Sequence, residues 1–367
     1  MKSLLTLAIV LASTSAFATR ARITALGNAA HLTDAATVYN KPADMFTVSD
    51  SLTIESGLTD VALVTGATAN NPATGAEALL IRSHGDAKWA LSLGHDDVRS
   101  FSQRSTSAVS AAARAQQNPI EVSYGMKSGD MAWAGTLVYS NYNDKAADEK
   151  ESTMGLKFGA ATSTWDATVD LGLTDKWEDA ANNEFKGKSN VAVRGGFWVA
   201  SDMYAYADVA MGGHEDTVAG TVASEIKTTD ITVGAINTVK SEGNEFFWGA
   251  ALASAQSKDS KGAEVKETSL MLPLIIGVEA NAASWLTLRG SVTQNVLIQN
   301  EKTETATATV SEEAPGTNST TFAAGAGLKL GKLALDGSLL AVTGSNPSGQ
   351  EVNADDLLGT VGLTYAF

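Results

Sequence analysis

Four histidines, His31, His84, His95 and His214, bound the imidazole chemistry open to this chain, and two of them stand beside carboxylates. In His95-Asp96-Asp97 and His214-Glu215-Asp216 an acid could orient the ring so that its other nitrogen takes a proton from water. A nucleophilic serine would need such a histidine with a supporting acid, and none of the many serines stands in a motif of that kind. Gly325-Ala-Gly327 lacks the strand-then-helix setting of a phosphate-binding loop, and two inward-facing glycines on a strand explain it better. The absence of cysteine excludes thiol catalysis, thiolate-held metals and disulfides. A net charge of −15 speaks against nucleic acid, which calls for a basic surface. These residues therefore support no catalytic assignment, no metal ligand and no organic cofactor. Polar residues at the end of a strand are the commoner meaning of both histidine–acid runs.

The elements that position these residues are strands. Trp165, Ala167, Val169, Leu171 and Leu173 alternate with Asp166, Thr168, Asp170, Gly172 and Thr174, and Ile120, Val122, Tyr124 and Met126 with Glu121, Ser123, Gly125 and Lys127. Such period-two patterns are strands with one apolar face. From residue 51 onward, short connections (Ser83–Asp86, Ser128–Asp130, Ala161–Thr164, Ala200–Asp202, Lys240–Asn244, Ala280–Ser284, Gly331–Lys332) strictly alternate with long polar ones. The long ones lie near 58–76, 97–119, 143–150, 175–188, 213–224, 257–264, 299–317 and 343–356. Fifteen connections join about 16 strands and put both ends of the sheet on the short-turn side. Pro273 removes one ladder bond from its strand and predicts a bulge there.

No stretch beyond residue 18 is apolar for the ~18 residues that a membrane helix requires. If the chain crosses a bilayer it does so as a closed antiparallel up-and-down β-barrel, with short periplasmic turns and long external loops. The polar parity then points Lys88, Glu121, Lys127, Lys157, Asp166, Asp170, Arg194, Asp208, Arg289, Lys329 and Asp336 into the lumen. Ionised Lys or Arg facing lipid near the midplane would cost ~2–4 kcal/mol each. That near-balanced set suits a water-filled channel. Trp89, Trp133, Trp165, Trp198, Trp248 and Trp285 gather near the short turns with Tyr365 and Phe367, as an aromatic girdle at a membrane interface would. Outside the lumen, loops 299–317 (Glu301, Glu304, Glu312, Glu313) and 343–356 (Glu351, Asp355, Asp356) are acidic. Loop 97–119, with Arg99, Arg104 and Arg114, is basic. Its Ser107–Gln117 stretch suits a short helix that is exposed, folded into the mouth, or latched onto a neighbouring subunit.

Met1-Lys2-Ser3, the apolar Leu4–Leu11 and Ala16-Phe17-Ala18 read as a secretory signal peptide over 1–18, cleaved before Thr19. Residues 19–50 form a non-alternating segment, periplasmic or folded into the lumen, and 51–367 the barrel. The final strand, with Leu357, Val361, Leu363, Tyr365 and Phe367 on one parity, resembles the C-terminal strand of bacterial outer-membrane proteins. Ala25-Leu-Gly-Asn28, Asn40-Lys41-Pro42-Ala43, Met45-Phe46, Asn118–Gly125 and the turn Lys127–Asp130 resemble porin-like major outer-membrane proteins of predatory bacteria of the bdellovibrio type. A weaker similarity links the N-terminal region to fatty-acid-transporter barrels, whose lumen-filling segment carries an Asn-Pro-Ala that Lys41 interrupts here. The resemblance implies an integral outer-membrane porin, passive toward small hydrophilic solutes and ions. A plugged barrel for hydrophobic substrates and a structural or adhesive surface barrel are the alternatives. Such a barrel would meet outer-membrane lipid and lipopolysaccharide, and the barrel-assembly machinery through its last strand; monomer and homotrimer are both open.

Overall fold

The computed structural model describes residues 19–58, 74–97, 118–261, 265–304, 309–312, 319–343 and 358–367, together with 103, 104, 107, 109 and 116. The expected signal peptide, most of the expected helix at 107–117 and the acidic run 351–356 lie outside these residues. The first half of the wall comprises β1 (Ser51–Leu58), β2 (Thr74–His84), β3 (Ala87–Leu93), β4 (Ile120–Ser128), β5 (Met131–Asp144), β6 (Glu149–Ala161), β7 (Trp165–Glu178) and β8 (Glu184–Ala200). The second half comprises β9 (Met203–Val218), β10 (Thr221–Ser241), β11 (Asn244–Asp259), β12 (Lys266–Ala283), β13 (Leu286–Glu304), the short β14 (Thr309–Glu312), β15 (Thr320–Leu330), β16 (Leu333–Thr343) and β17 (Leu358–Ala366). Each wall strand pairs antiparallel with its neighbours. β1 pairs with β17 from Ser51↔Ala366 to Gly57↔Thr360, and this closes the sheet. β14 only prolongs the outer end of β13. The result is an all-β barrel of 16 wall strands, as the alternation predicts, and a barrel of that size encloses a lumen.

All seven short turns fall where the sequence puts them, and Trp285 belongs to the turn before β13. The long connections differ from expectation. The 175–188 and 213–224 segments are strand except for residues 179–183 and 219–220, and 143–150 keeps only residues 145–148 as turn. Beyond an apolar band a strand needs no apolar face, so its pattern dissolves into polar sequence while its backbone ladder continues. Pro273 also behaves differently. It stays in register with Asn295 of β13, while the ladder to β11 lapses beside it and the irregularity falls at Leu270. Losing one N–H on one side needed no extra residue.

Side chains alternate across the wall as pleating requires. On β5, Met131, Trp133, Leu137 and Tyr139 are exposed outward, while Ala132, Ala134, Thr136, Val138 and Ser140 are buried inward. Trp89, Trp133, Trp165, Trp248, Trp285, Tyr365 and Phe367 all face outward at the short-turn end. Trp198 does not. Its neighbours Phe197 and Val199 take the outward parity, and its own ring packs inside against His31 and Tyr204.

The core of this barrel is its lumen, and residues 19–50 fill much of it. Helix α1 (Arg20–Ala25) and two 3-10 turns, Ala36–Tyr39 and Pro42–Phe46, make up the segment. Asp34 organises the first turn by accepting from the N–H groups of Ala36 (2.8 Å) and Thr37 (3.2 Å). Pro42 opens the second, where its missing N–H goes unused. Val38, Tyr39, Met45 and Val48 pack on Leu79, Ile81, Ala90 and Ala134 of the wall, and Leu26, Ala29 and Leu32 on Ile236 and Phe247.

Candidate functional site

The N-terminal segment is bolted to the inner wall by three polar networks. In the first, the Arg20 backbone N–H donates to Glu55 of β1 (2.6 Å), and its guanidinium donates to Glu77 of β2 (3.0 and 3.1 Å). His95 Nδ1 lies 2.9 Å from both Arg20 and Glu77, and the ring stacks on Tyr39 at 3.7 Å. Glu121 and Asp97 then meet Lys157, whose ammonium donates to the Tyr39 carbonyl (2.9 Å). In the second, Asp34, Arg22, Glu279, Arg289 and Asp336 alternate in sign, tying the segment to β12, β13 and β16. In the third, Lys41 pairs with Asp166 (3.0 Å), which also accepts from the Tyr204 hydroxyl (2.5 Å). Lys88 donates to the carbonyls of Met45 and Val48, and His31 sits 3.0 Å from Glu245.

Wall glycines make room for this packing. A Cβ on Gly325 would lie 2.6 Å from Ala25 Cβ, and one on Gly125 would lie 2.7 Å from Met45 Cε. Gly325→Val should therefore push α1 off the wall. We expect a lower midpoint of thermal unfolding and a larger channel current for a barrel that still closes. Unchanged values of both would mean that α1 does not rest on β15.

Inside the segment, burial raises Asp34 from 3.8 to about 6 and Asp44 to about 7, against the pull of Arg22 and Lys41. Both folded values lie above the unfolded one, so the docked segment binds the extra protons. Its docking is favoured below pH 4 and loses that contribution as pH rises through 6 to 7.

A second element enters from the opposite end. Arg104 of the basic loop is fully buried against the inner face of β6 and β7, donating to Glu151 (2.9 Å), Thr153 (2.9 Å) and Asp175. Ser107 donates to Asp216 of β9 (2.7 Å), and Val109 packs with Trp177 and Phe185. The loop thus folds into the mouth at these residues. This burial explains why Trp177 stands apart from the girdle.

The histidine–acid runs take structural places. His95 lies not at a rim but in the belt around Tyr39. His214 is fully buried beneath the loop, 3.6 Å from Asp216, whose oxygens accept from Ser107 and Ser224. The serines therefore meet the acid rather than the imidazole, which is not the order a hydrolytic triad uses. Among the described residues, no group of three or more His, Asp or Glu is placed to hold a metal.

The eleven residues on the polar parity divide by what they meet. Lys88, Glu121, Lys157, Asp166, Arg289 and Asp336 join the networks that hold the N-terminal segment. Asp170 is buried on β7, Lys329 is half-buried, and Lys127 is exposed beside a short turn. Arg194 and Asp208 pair at 2.5 Å beside a cavity of about 630 Å³, which lies between the N-terminal segment and the inner faces of β7 to β10. Sequence reasoning missed Arg20, Arg22, Lys41, Glu55, Glu77, Glu279 and Asp230. Glu55 and Asp230 carried a readable signal, since each sits next to an exposed isoleucine of opposite parity, Ile54 and Ile231. Arg20, Arg22 and Lys41 carried none, because their segment has no period.

No known family profile matches the chain, and no curated protein matches it. Among solved structures it is similar to a bacterial polysaccharide outer membrane secretin, at 6% identity over 86% of this chain and 97% of that one, with TM-score 0.48. It is similar to the CymD monoaromatic hydrocarbon channel, at 9% identity over 94% and 97%, TM-score 0.45. It is also similar to a loop-deleted OmpT, an outer membrane protein of Vibrio cholerae, at 9% identity over 87% and 97%, TM-score 0.43. Likenesses this distant carry no argument, and the fold rests on the strand pairing itself.

Proposed function

We propose that this chain is an integral outer-membrane channel of the porin kind. It passes small hydrophilic solutes through the part of the lumen that its N-terminal segment and the loop 97–119 leave open. The observation that carries the reading is the 630 Å³ cavity, lined on its wall side by Asp166, Arg194, Asp208 and Asp230. The outward face supports a membrane location. Large apolar side chains such as Ile54, Val122, Leu137, Val233 and Leu252 are exposed all around the barrel, and water would not tolerate so continuous a patch. Membrane lipid would cover that band, with lipopolysaccharide at the long-hairpin end, and β17, the closing strand, is the segment suited to the assembly machinery. The similarity to porin-like proteins of predatory bacteria agrees with this reading.

A specific observation favours a second reading. The N-terminal segment turns Ile23, Ala29, Ala30, Leu32 and Ala36 toward the same cavity, so a plugged transporter of hydrophobic substrates fits that side. Recording in planar bilayers separates the two. A channel gives discrete current steps with a modest cation preference. That preference should fade with salt, because the Debye length falls from ~30 Å at 0.01 M to ~3 Å at 1 M. Absence of current together with uptake of an apolar ligand would select the second reading.

A further inference from the structure

The cavity has two unlike sides, and each cation on its lining is held by an acid. Of the cations on its lining, Arg20 is held by Glu77 at 2.9 Å, Lys41 by Asp166 at 3.0 Å and Arg194 by Asp208 at 2.5 Å. Asp230 has no ion pair of its own among the described residues, and its charged neighbour is another acid, Asp208, which lies two residues from Asp230's partner Ala210 on β9. Along the same wall, Asp208 lies between the level of Asp230 and that of Tyr206, whose ring leans over Gly234 of β10. Facing this wall are the apolar Ile23 and Leu32 of the N-terminal segment. The wall already shows how it treats an ammonium group. Lys41 lies 5.7 Å from the centroid of the Tyr204 ring and pairs with Asp166. Two residues further along β9 a second tyrosine, Tyr206, lines the same wall, and Asp230 of β10 is the acid there with no ion pair among the described residues.

We propose that this cavity binds small organic cations with an apolar body, the head at Asp230 and Asp208 and the body along Tyr206, Ile23 and Leu32. The proposal rests on the cavity being the passage described above, and it names the solute class that the passage favours. A carboxylate without a partner attracts the alkylammonium head through charge, and a tyrosine ring with apolar side chains further along takes the body. Four residues of strand separate the levels of Asp230 and Tyr206, about 13 Å, which matches an elongated rather than a compact ligand. The volume falls within the range of roughly 300–1,000 Å³ typical of small-molecule sites.

The test is binding of hexyltrimethylammonium to the full chain in lipid nanodiscs by calorimetry, beside 1-hexanol and hexanesulfonate as neutral and anionic probes of the same chain length. We expect saturable binding of the cation at least tenfold tighter than either control. Asp230→Asn should weaken it by roughly tenfold, the scale of one charge-assisted contact. The variant's compact band on unboiled electrophoresis would show that it is still folded. Equal affinity for all three probes, or an undiminished cation affinity in Asp230→Asn, would overturn the proposal. Binding is read apart from current. Cation binding without conduction would support the site and remove the passage, whereas conduction without binding would remove the site alone.

Discussion

Replacing Arg20 and Arg22 together with alanine should release the N-terminal segment from the wall and raise single-channel conductance several-fold. Each arginine neutralises carboxylates on two elements: Glu55 and Glu77 for Arg20, Glu279 and Asp34 for Arg22. These pairs are nine-tenths to four-fifths buried, so removing the cation leaves acids without compensation at a cost of ~3–5 kcal/mol for a buried pair. The wall strands keep their own ladders, so the variant should still run as a compact band when unboiled. A folded variant with the conductance of the parent would mean that the segment does not obstruct the path.

Arg104→Ala should free the basic loop from the mouth. The guanidinium is fully buried between Glu151 and Asp175 and lies 5.7 Å from the centre of the Phe185 ring, so its loss strands two acids and opens a gap. With ~3–5 kcal/mol of anchoring removed, trypsin should cut within residues 97–119 at least tenfold faster than in the parent. Cleavage at the parent's rate would show that other contacts hold the loop. Current should also rise in this variant, but less than in the double arginine variant, because the described loop residues Arg104, Ser107 and Val109 meet the wall at β6 to β9, whereas the N-terminal segment is tied to strands around the barrel.

The wall was legible in the sequence because its period is local. Ile120 to Lys127 and Trp165 to Thr174 reveal inside and outside by parity, and the aromatic positions mark one end of the barrel. The contents of the lumen were not legible. Arg20 meets Glu77 and Arg22 meets Glu279 across 57 and 257 residues of chain, and no periodic signal joins them. Parity put Lys157 and Arg289 inside but could not say that they would face protein rather than water. Trp198 was misplaced because proximity to a short turn was read without parity, although Phe197 and Val199 already held the outward positions. The polar ends of β8, β9 and β10 were read as loops for a related reason. Outside an apolar band, hydrogen bonding keeps a strand extended with no hydrophobic pattern to announce it.

On the proposed reading, solute moves along the cavity beside β7 to β10, between the N-terminal segment and the wall. Because the chain has no cysteine, Thr232→Cys places one unique thiol on that lining. Recorded in a planar bilayer, this variant should conduct as the parent does until a positively charged methanethiosulfonate reagent is added. The current should then fall in discrete, lasting steps, while the cysteine-free parent is unaffected. A Thr232→Cys channel whose current is untouched by the reagent, or a protein that passes no current at all, would contradict the account.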